Sequence, residues 1–409
     1  MTRSRLAPAA IAAAVVLAGC GGSKGLPHRT LVIAVNAPFS QSPSIGEAIA
    51  HGVKLAVADT NAAGGLTTRK AIYTFKVVTL DNALSPSKAV ANVRSIAGRA
   101  AAIIDEGTGV DASWRIAERK RTPVCVVYQG GNGLIDPATR PNVFRIAPTD
   151  HGVAFRLAEY LIPKGLRIAL LHDDSGYGQQ GHAALQGAFR RNPESVAGDI
   201  TLPTTATDLA PQVVRARRTH ATALLVWGLP STIAKVLIAA RSSGWDVPVY
   251  TPASGEDPLV RQQLSDHPAW VDGLTFAAGR MTAEGGPAPF LSFAQSVRDR
   301  FGLDYVGVRT SAGARVVQPP DYVMYPFDCM NVIVAAIRQV GSDDRAEILA
   351  ALNQVSSVGA NGDSRGFNEK NHDGVIDDDI YFARFRDMTY RPVEDDPLSA
   401  SLPAIPQTG

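Results

Sequence analysis

The chain has 409 residues, of which 40 are basic and 38 acidic, giving a net charge of +2, and 45% are hydrophobic. Such a balance supplies no electrostatic footprint for nucleic acid, and the length allows two or three units of domain size that bury their cores without disulfide support. Beyond residue 20 no apolar run is long enough to span a bilayer, so the sequence shows no channel of its own.

At the N-terminus Arg3 and Arg5 precede an apolar run from Leu6 to Ala18, short for a membrane span and suited to a secretion signal. The run closes on Leu17, Ala18, Gly19 and Cys20, which resembles the lipobox of bacterial lipoproteins. That resemblance implies a signal peptide over 1–19 and lipidation of Cys20. Acyl chains contribute about 0.8 kcal/mol per buried methylene, so more than one on a single cysteine holds a soluble body at a membrane. Residues 20–29, opening on Gly21, Gly22 and Ser23, read as the tether. An ordinary secretory signal with Cys20 incidental is the alternative, and it also places the body outside the cytoplasm.

Strands and helices then alternate. Leu31–Val35 reads as a strand, followed by a helix with Ser44 and Glu47 as a capping box ahead of Ile45, Ile49, Val53 and Val57. A strand over Tyr73–Leu80 leads to a helix with Ser85 as N-cap and Pro86 in its first turn. Ala101–Ile104 and Pro123–Val127 read as buried parallel strands separated by a short helix, Ser113–Lys120. After Arg145–Asp150 a second series begins: strands at Arg167–Leu171, Val196–Ile200, Ala223–Val226, Val247–Tyr250 and Leu274–Ala277 alternate with helices. Helices at Phe290–Arg300, Tyr325–Val340 and Asp344–Val355 look like material returning to the first unit. Two lobes are therefore expected, 30–148 with about 278–360 and 149–277 with about 361–390, followed by a flexible tail over 391–409. Cys125 falls in a strand and Cys329 in a helix; an oxidising compartment would allow them to pair, but two buried free thiols are the favoured expectation.

Several loose motifs gain weight from their order. Ala37, Pro38, Phe39 and Ser40 precede a helix ending Asn61, Ala62, Ala63, Gly64, Gly65; Val143, Phe144 and Arg145 precede the first crossing. His172, Asp173, Asp174, Ser175, Gly176, Tyr177 and Gly178 follow a hydrophobic strand, and Phe327 and Asp328 open an apolar helix to Gly341. The closing loop carries Gly366, Phe367 and Asn368. Over nearly the whole mature chain this pattern resembles the type I periplasmic binding proteins, in the branch of leucine/isoleucine/valine-binding receptors of ABC transporters. The resemblance implies an α/β fold of two doubly wound, Rossmann-like lobes on a multi-strand hinge, a Venus-flytrap clamp. It also implies a small-molecule ligand, an amino acid or related polar solute, an ABC transporter permease as partner, and no cofactor; a monomer is expected.

In such sheets the ligand lies beyond the C-terminal strand ends. The loop Asp105–Gly109 offers backbone N–H groups and a hydroxyl, an arrangement suited to capturing a carboxylate, with Thr108 and Gly109 as approximate contacts. Gly107, Gly109 and Ala112 mimic a dinucleotide fingerprint, but Tyr128 and Gln129 stand where its acidic residue belongs. Gly130 and Asn132 occupy a turn that meets the ligand's amino group in the family. Tyr177 matches the family's ligand-covering tyrosine. Phe39, Ser40 and Trp227 are further candidates, each with plain packing as its alternative. The departure lies at Thr251–Glu256: Ser254 aligns with the acidic residue that pairs with the ligand ammonium. Either Glu256, Asp105 or Glu106 compensates, or the ligand is not an α-amino acid.

Two other readings stay open, an extracytoplasmic sensor using the same clamp and an exported hydrolase. The second is weakened because Ser175, His172 and Asp173 share one short loop, and no Gly-x-Ser-x-Gly elbow is present. Glu369, Asn371, Asp373, Gly374 and Asp377 imitate a calcium loop, but Ile380 stands in place of its last glutamate, so no metal is expected.

Overall fold

The computed structural model describes residues 25–278, 289–376, 380–401 and 408. Cys20 and most of its tether lie outside the described residues. In chain order, lobe one is built from β1 (His28–Ala37), α1 (Pro43–Ala62), β2 (Leu66–Thr67), β3 (Ile72–Asp81), α2 (Pro86–Ile96), β4 (Ala100–Asp105), α3 (Val110–Glu118), β5 (Val124–Val126) and β6 (Val143–Arg145). The sheet order is β2-β3-β1-β4-β5-β6, parallel throughout except at the β2 edge. Because side chains alternate across a strand, Ile33 and Val35 of β1 enter one core while Ala34 enters the other. Both faces of the sheet are thereby covered by helices, as a parallel sheet requires.

Lobe two comprises α4 (Asp150–Leu161), β7 (Ile168–Asp173), α5 (Gly176–Phe189), β8 (Val196–Leu202), α6 (Ala210–Arg218), β9 (Ala223–Trp227), α7 (Pro230–Ser242), β10 (Val249–Thr251), α8 (Pro258–Gln263) and β11 (Thr275–Ala278). Ala169 and Leu171 of β7 again face one core and Ile168 and Leu170 the other. The chain continues with α9 (Pro289–Phe301), the hairpin β12 (Tyr305–Arg309) and β13 (Arg315–Val317), α10 (Asp321–Val340), α11 (Arg345–Leu352), β14 (Ser356–Val358), β15 (Ser364–Gly366), β16 (Tyr381–Arg386) and β17 (Thr389–Pro392). Sheet two runs β17-β16-β11-β10-β9-β7-β8, with β16 and β17 antiparallel at one edge.

The two-lobed, doubly wound expectation is met, while several details differ. The boundaries shift. α9, α10 and α11 pack on lobe one, but Val306, Val308 and Val316 of the intervening hairpin enter the core of lobe two. Phe367 and Val375 belong to the lobe-one core. Residues 391–401 pack on lobe two instead of trailing free: Asp396 pairs with Arg156, Asp395 with Lys164, and Ser399 Oγ accepts from the Phe382 N–H. The acidic and proline-rich letters read as a tail because their partners lie more than 200 positions upstream.

The thiols are not free: Cys125 on β5 and Cys329 on α10 form a disulfide. Their Cα atoms are 6.7 Å apart, within bridging reach, because α10 lies across the sheet face to which Cys125 points. The first helix starts at Pro43 with Ser42 before it, not on a Ser44 capping box. Proline at the first helical position surrenders an N–H that has no partner there anyway. Ser85 does cap α2, accepting from the Lys88 N–H.

Candidate functional site

The strand ends of lobe one form a polar rim. Asn36, at the end of β1, donates to Asp105 Oδ2 at 2.8 Å, and the Gly107 N–H donates to Asp105 Oδ1 at 2.8 Å. Glu106 accepts from Asn82 Nδ2 at 3.1 Å, Gln129 Nε2 at 2.9 Å and the Thr108 N–H at 3.1 Å. The N–H groups of Gly107 and Thr108, expected to hold a ligand carboxylate, thus already hold the loop's own carboxylates. Burial pushes the Asp105 carboxyl up to about 7, opposed by the hydrogen bonds from Asn36 and Gly107, with Glu106 adding repulsion.

Asp173 organises the rim of lobe two. One oxygen accepts from the Ser175 hydroxyl; the other accepts from the Leu229 N–H at 2.7 Å and the Thr232 hydroxyl at 3.0 Å. Ser175 in turn caps α5, accepting from the Gly178 N–H at 3.0 Å. Its hydroxyl is therefore a cap and not a nucleophile paired with His172, whose Nε2 meets Thr201. This loop seats Tyr177 half-buried against Trp227, ring centroids 6.0 Å apart. Burial first, then the charge of Asp150, drives the Tyr177 hydroxyl well above the ordinary tyrosine range, while Ser254 and Trp227 act in the opposite direction as partners. Ser254 Oγ and Trp227 Nε1 are themselves buried, and neither makes a well-formed hydrogen bond among the described residues.

Between the lobes stand two more tyrosines. Tyr128, after β5, meets Tyr322 of α10 edge to face at 5.6 Å, and the Tyr322 hydroxyl donates to the Ala253 carbonyl of lobe two at 2.8 Å. Burial, followed by the charges of Asp257, Tyr177, Glu106 and Glu256, raises the Tyr128 hydroxyl far above its usual value. Groups of both lobes therefore converge on Tyr128. Beside Tyr322 lies a cavity of about 270 Å³, lined among others by Ser44, Glu47 and His51 of α1, Pro258 of α8, Asp304 and Gln318. Asp304 is raised by burial and by Glu47, and lowered by Arg261.

The periplasmic binding protein family matches residues 31–389. The chain belongs to that family. Solved relatives share the fold: a type 1 periplasmic binding protein from Bordetella pertussis Tohama I is 20% identical, with a TM-score of 0.75 over 89% of this chain and 99% of that one. LivJ from Streptococcus pneumoniae, in complex with isoleucine, is 19% identical with a TM-score of 0.72 over 88% and 98%. An ABC-transporter solute-binding protein from Rhodopseudomonas palustris BisB5, in complex with 3,4-dihydroxy benzoic acid, is 16% identical with a TM-score of 0.68 over 87% and 93%. No curated protein gives a significant match. Among the described residues no helix is long and apolar enough to cross a membrane.

In this periplasmic binding protein the residues singled out from sequence divide into two groups. Tyr177 and Ser254 meet at the gap, and Thr108 shares the rim through its hydroxyl, which accepts from Gln129 at 3.1 Å. Others have local duties. Gly109 has a φ of +75° and little room beside Ala89 and Pro86, and a side chain on Gly130 would strike Asp150, so both glycines have backbone or packing reasons within the chain. Trp227 is fully buried beneath α5, where it backs Tyr177. Glu256 is fully buried, accepts from Gln318 at 3.2 Å and lies near Arg261, a counter-charge inside lobe two. Phe39 packs on the start of α1, the Ser40 N–H bonds Asp81, and Asn132 is exposed.

No sequence motif points to Asn36, Asn82, Tyr128 or Tyr322. The two asparagines carried a signal, being polar letters that close apolar strands yet are fully buried. Asp373 of the calcium-like pattern is taken by Arg145, and Asp377 lies outside the described residues.

Proposed function

We propose that this chain is the solute-binding lipoprotein of an ABC importer, monomeric, held outside the cytoplasm by lipid on Cys20, and that it delivers a small polar solute unchanged to a permease. The observation that carries this reading is the convergence of Tyr128, Tyr177 and Tyr322 with charged groups of both lobes on one interlobe gap. Solutes that touch both lobes bind the closed form better than the open one, the differential affinity a hinge needs. Solved relatives hold isoleucine or a dihydroxybenzoate, so the fold accepts amino acids and aromatic acids alike.

Among amino acids and related polar solutes, the lining favours those with an ammonium group. Glu106 and Asp257 lie near Tyr128, Glu47 and Asp304 line the adjoining cavity, and the backbone donors suited to an anion are already engaged. Aromatic rings and carboxylates together suit a cation. Mass spectrometry of small molecules released from the purified body, followed by thermal-shift titration of each hit, tests the reading. An amine or amino acid that stabilises the protein and returns intact supports it; a hydrolysed hit, or stabilisation by carboxylic acids lacking an amine and by no amine, overturns it. The same solute engaging a signalling partner and no permease would instead favour the sensor reading.

A further inference from the structure

Away from the interlobe tyrosines, three elements of lobe two bring metal-ligating groups together. His172 on β7, His182 on α5 and Asp199 on β8 each offer an atom, and these lie within 4.8 Å of one another. The backbone explains why. β7 and β8 pair in parallel with Leu170 opposite Asp199 and His172 opposite Thr201, so His172, Asp199 and Thr201 share one sheet face, the face that α5 covers. A side chain at Gly181 would collide with Trp227, so α5 sits close on the sheet and His182 is brought over that face.

The two imidazoles stack with centroids 3.9 Å apart and planes 9° from parallel. Both Nε2 atoms face Asp199: His182 Nε2 lies 2.6 Å from Oδ2 and His172 Nε2 lies 3.7 Å from Oδ1. His172 is buried, His182 half-buried and Asp199 exposed, and β8 is the sheet edge, so an ion has an entry path. Thr201 Oγ1 lies 3.2 Å from His172 Nε2, a hydrogen bond that a bound ion would also displace.

We propose that His172, His182 and Asp199 form a site for one divalent first-row transition ion of the zinc class, with water completing the coordination. Two imidazole nitrogens and a carboxylate oxygen are a ligand set zinc accepts, and hard ions such as magnesium and calcium prefer oxygens alone. The ion replaces the hydrogen bond between His182 and Asp199 and pins α5 to β7 and β8. That tie bears on the loop that holds Tyr177, since α5 begins at Gly176 and β7 ends at Asp173. Nothing in this site depends on the solute reading above.

The test uses the full-length chain in detergent, without a polyhistidine tag, titrated with zinc chloride by calorimetry in a non-chelating buffer near pH 7.5. One ion per chain is expected, with His182→Gln and Asp199→Asn each weakening affinity by at least about tenfold, the loss typical even of outer-shell changes. Both positions reach solvent, and unchanged circular dichroism checks that the variants fold. Cobalt(II) is expected to give visible absorption of a four-coordinate ion in the parent and to lose it in both variants. Binding of fewer than one ion, or parent-like affinity in both variants, overturns the proposal in favour of a metal-free His-Asp-His hydrogen-bond cluster.

Discussion

Arg145 Nε and Asp373 Oδ1 lie 2.6 Å apart, joining the first crossing between the lobes to the last described stretch of lobe one. The surrounding backbone repeats the tie: the Arg145 N–H donates to the His372 carbonyl and the Gly374 N–H to the Arg145 carbonyl, both at 2.8 Å. Arg145 Nη1 also donates to the Gly131 carbonyl at 3.2 Å, holding the turn after Tyr128. One guanidinium therefore links the hinge to the rim. Its side chain is only 4% exposed, so removing the carboxylate strands a buried charge. Asp373→Ala is expected to lower unfolding free energy by about 2–4 kcal/mol, in the range for breaking a mostly buried pair. Urea unfolding measures it, and a loss within about 0.5 kcal/mol would assign the hinge to the backbone bonds alone.

The Cys125–Cys329 disulfide joins β5 to α10 and closes a sequence separation of 204 residues. Long loops gain most from cross-linking in the chain-entropy account, and native disulfides typically contribute about 2–4 kcal/mol. The double variant Cys125→Ala, Cys329→Ala is expected to fold, because both lobes keep large apolar cores, but to unfold at lower temperature. Calorimetry of parent and variant, with and without reductant, reads the effect. Reductant should lower the midpoint of the parent and leave the variant unchanged.

Strand periodicity made the lobes readable, since alternation in Ile33, Ala34 and Val35 or Ile168, Ala169 and Leu170 divides residues between two faces whatever lies far off in sequence. Local pattern reaches only as far as a residue's own loop, as in the turn that seats Tyr177 against Trp227. Tyr322 reaches Ala253 across 69 positions, and Arg156 reaches Asp396 across 240, distances over which no local pattern operates. Glu256 shows the converse. Its position beside a strand end suggested a ligand contact, yet Gln318 and Arg261, brought in by the hairpin and α8, draw it into the lobe. The disulfide failed to show for the same reason: strand and helix letters do not say that α10 crosses β5.

The gap offers a test of charge preference. Tyr177→Ala is expected to weaken the retained solute by about tenfold or more, roughly the 1.4 kcal/mol of a partly buried aromatic contact, without changing the far-ultraviolet spectrum. Glu106→Gln keeps the size of the side chain and one acceptor oxygen while removing charge. For an amine-bearing solute it should weaken binding, and for an anionic one strengthen it, as isothermal titration would show. Equal affinity in parent and Glu106→Gln would remove this carboxylate from recognition.

Asp105 gives the sign of one pH effect. Its carboxyl is raised from 3.8 to about 7 in the folded chain, chiefly by burial. Between those values the unfolded chain has released the proton while the native one keeps it, so the native state binds more protons and stability falls as pH rises. The fall should run from about pH 4 to about pH 7 and then level off, amounting to at most roughly 4 kcal/mol at about 1.4 kcal/mol per unit. Asp150, raised to about 6 by burial and lowered in part by Arg145, shares this sign but finishes earlier. Urea unfolding of parent and Asp105→Asn at pH 6.0, 6.8 and 7.5, each about the stated value, isolates the later window. His51, His172 and His372, held below the usual histidine range mainly by burial, contribute the opposite slope equally to both proteins and cancel in the difference. The variant should gain on the parent as pH rises through this window. A difference that stays constant would mean that Asp105 is already ionised at pH 6 in the native state, and that Asn36 and Gly107 outweigh its burial.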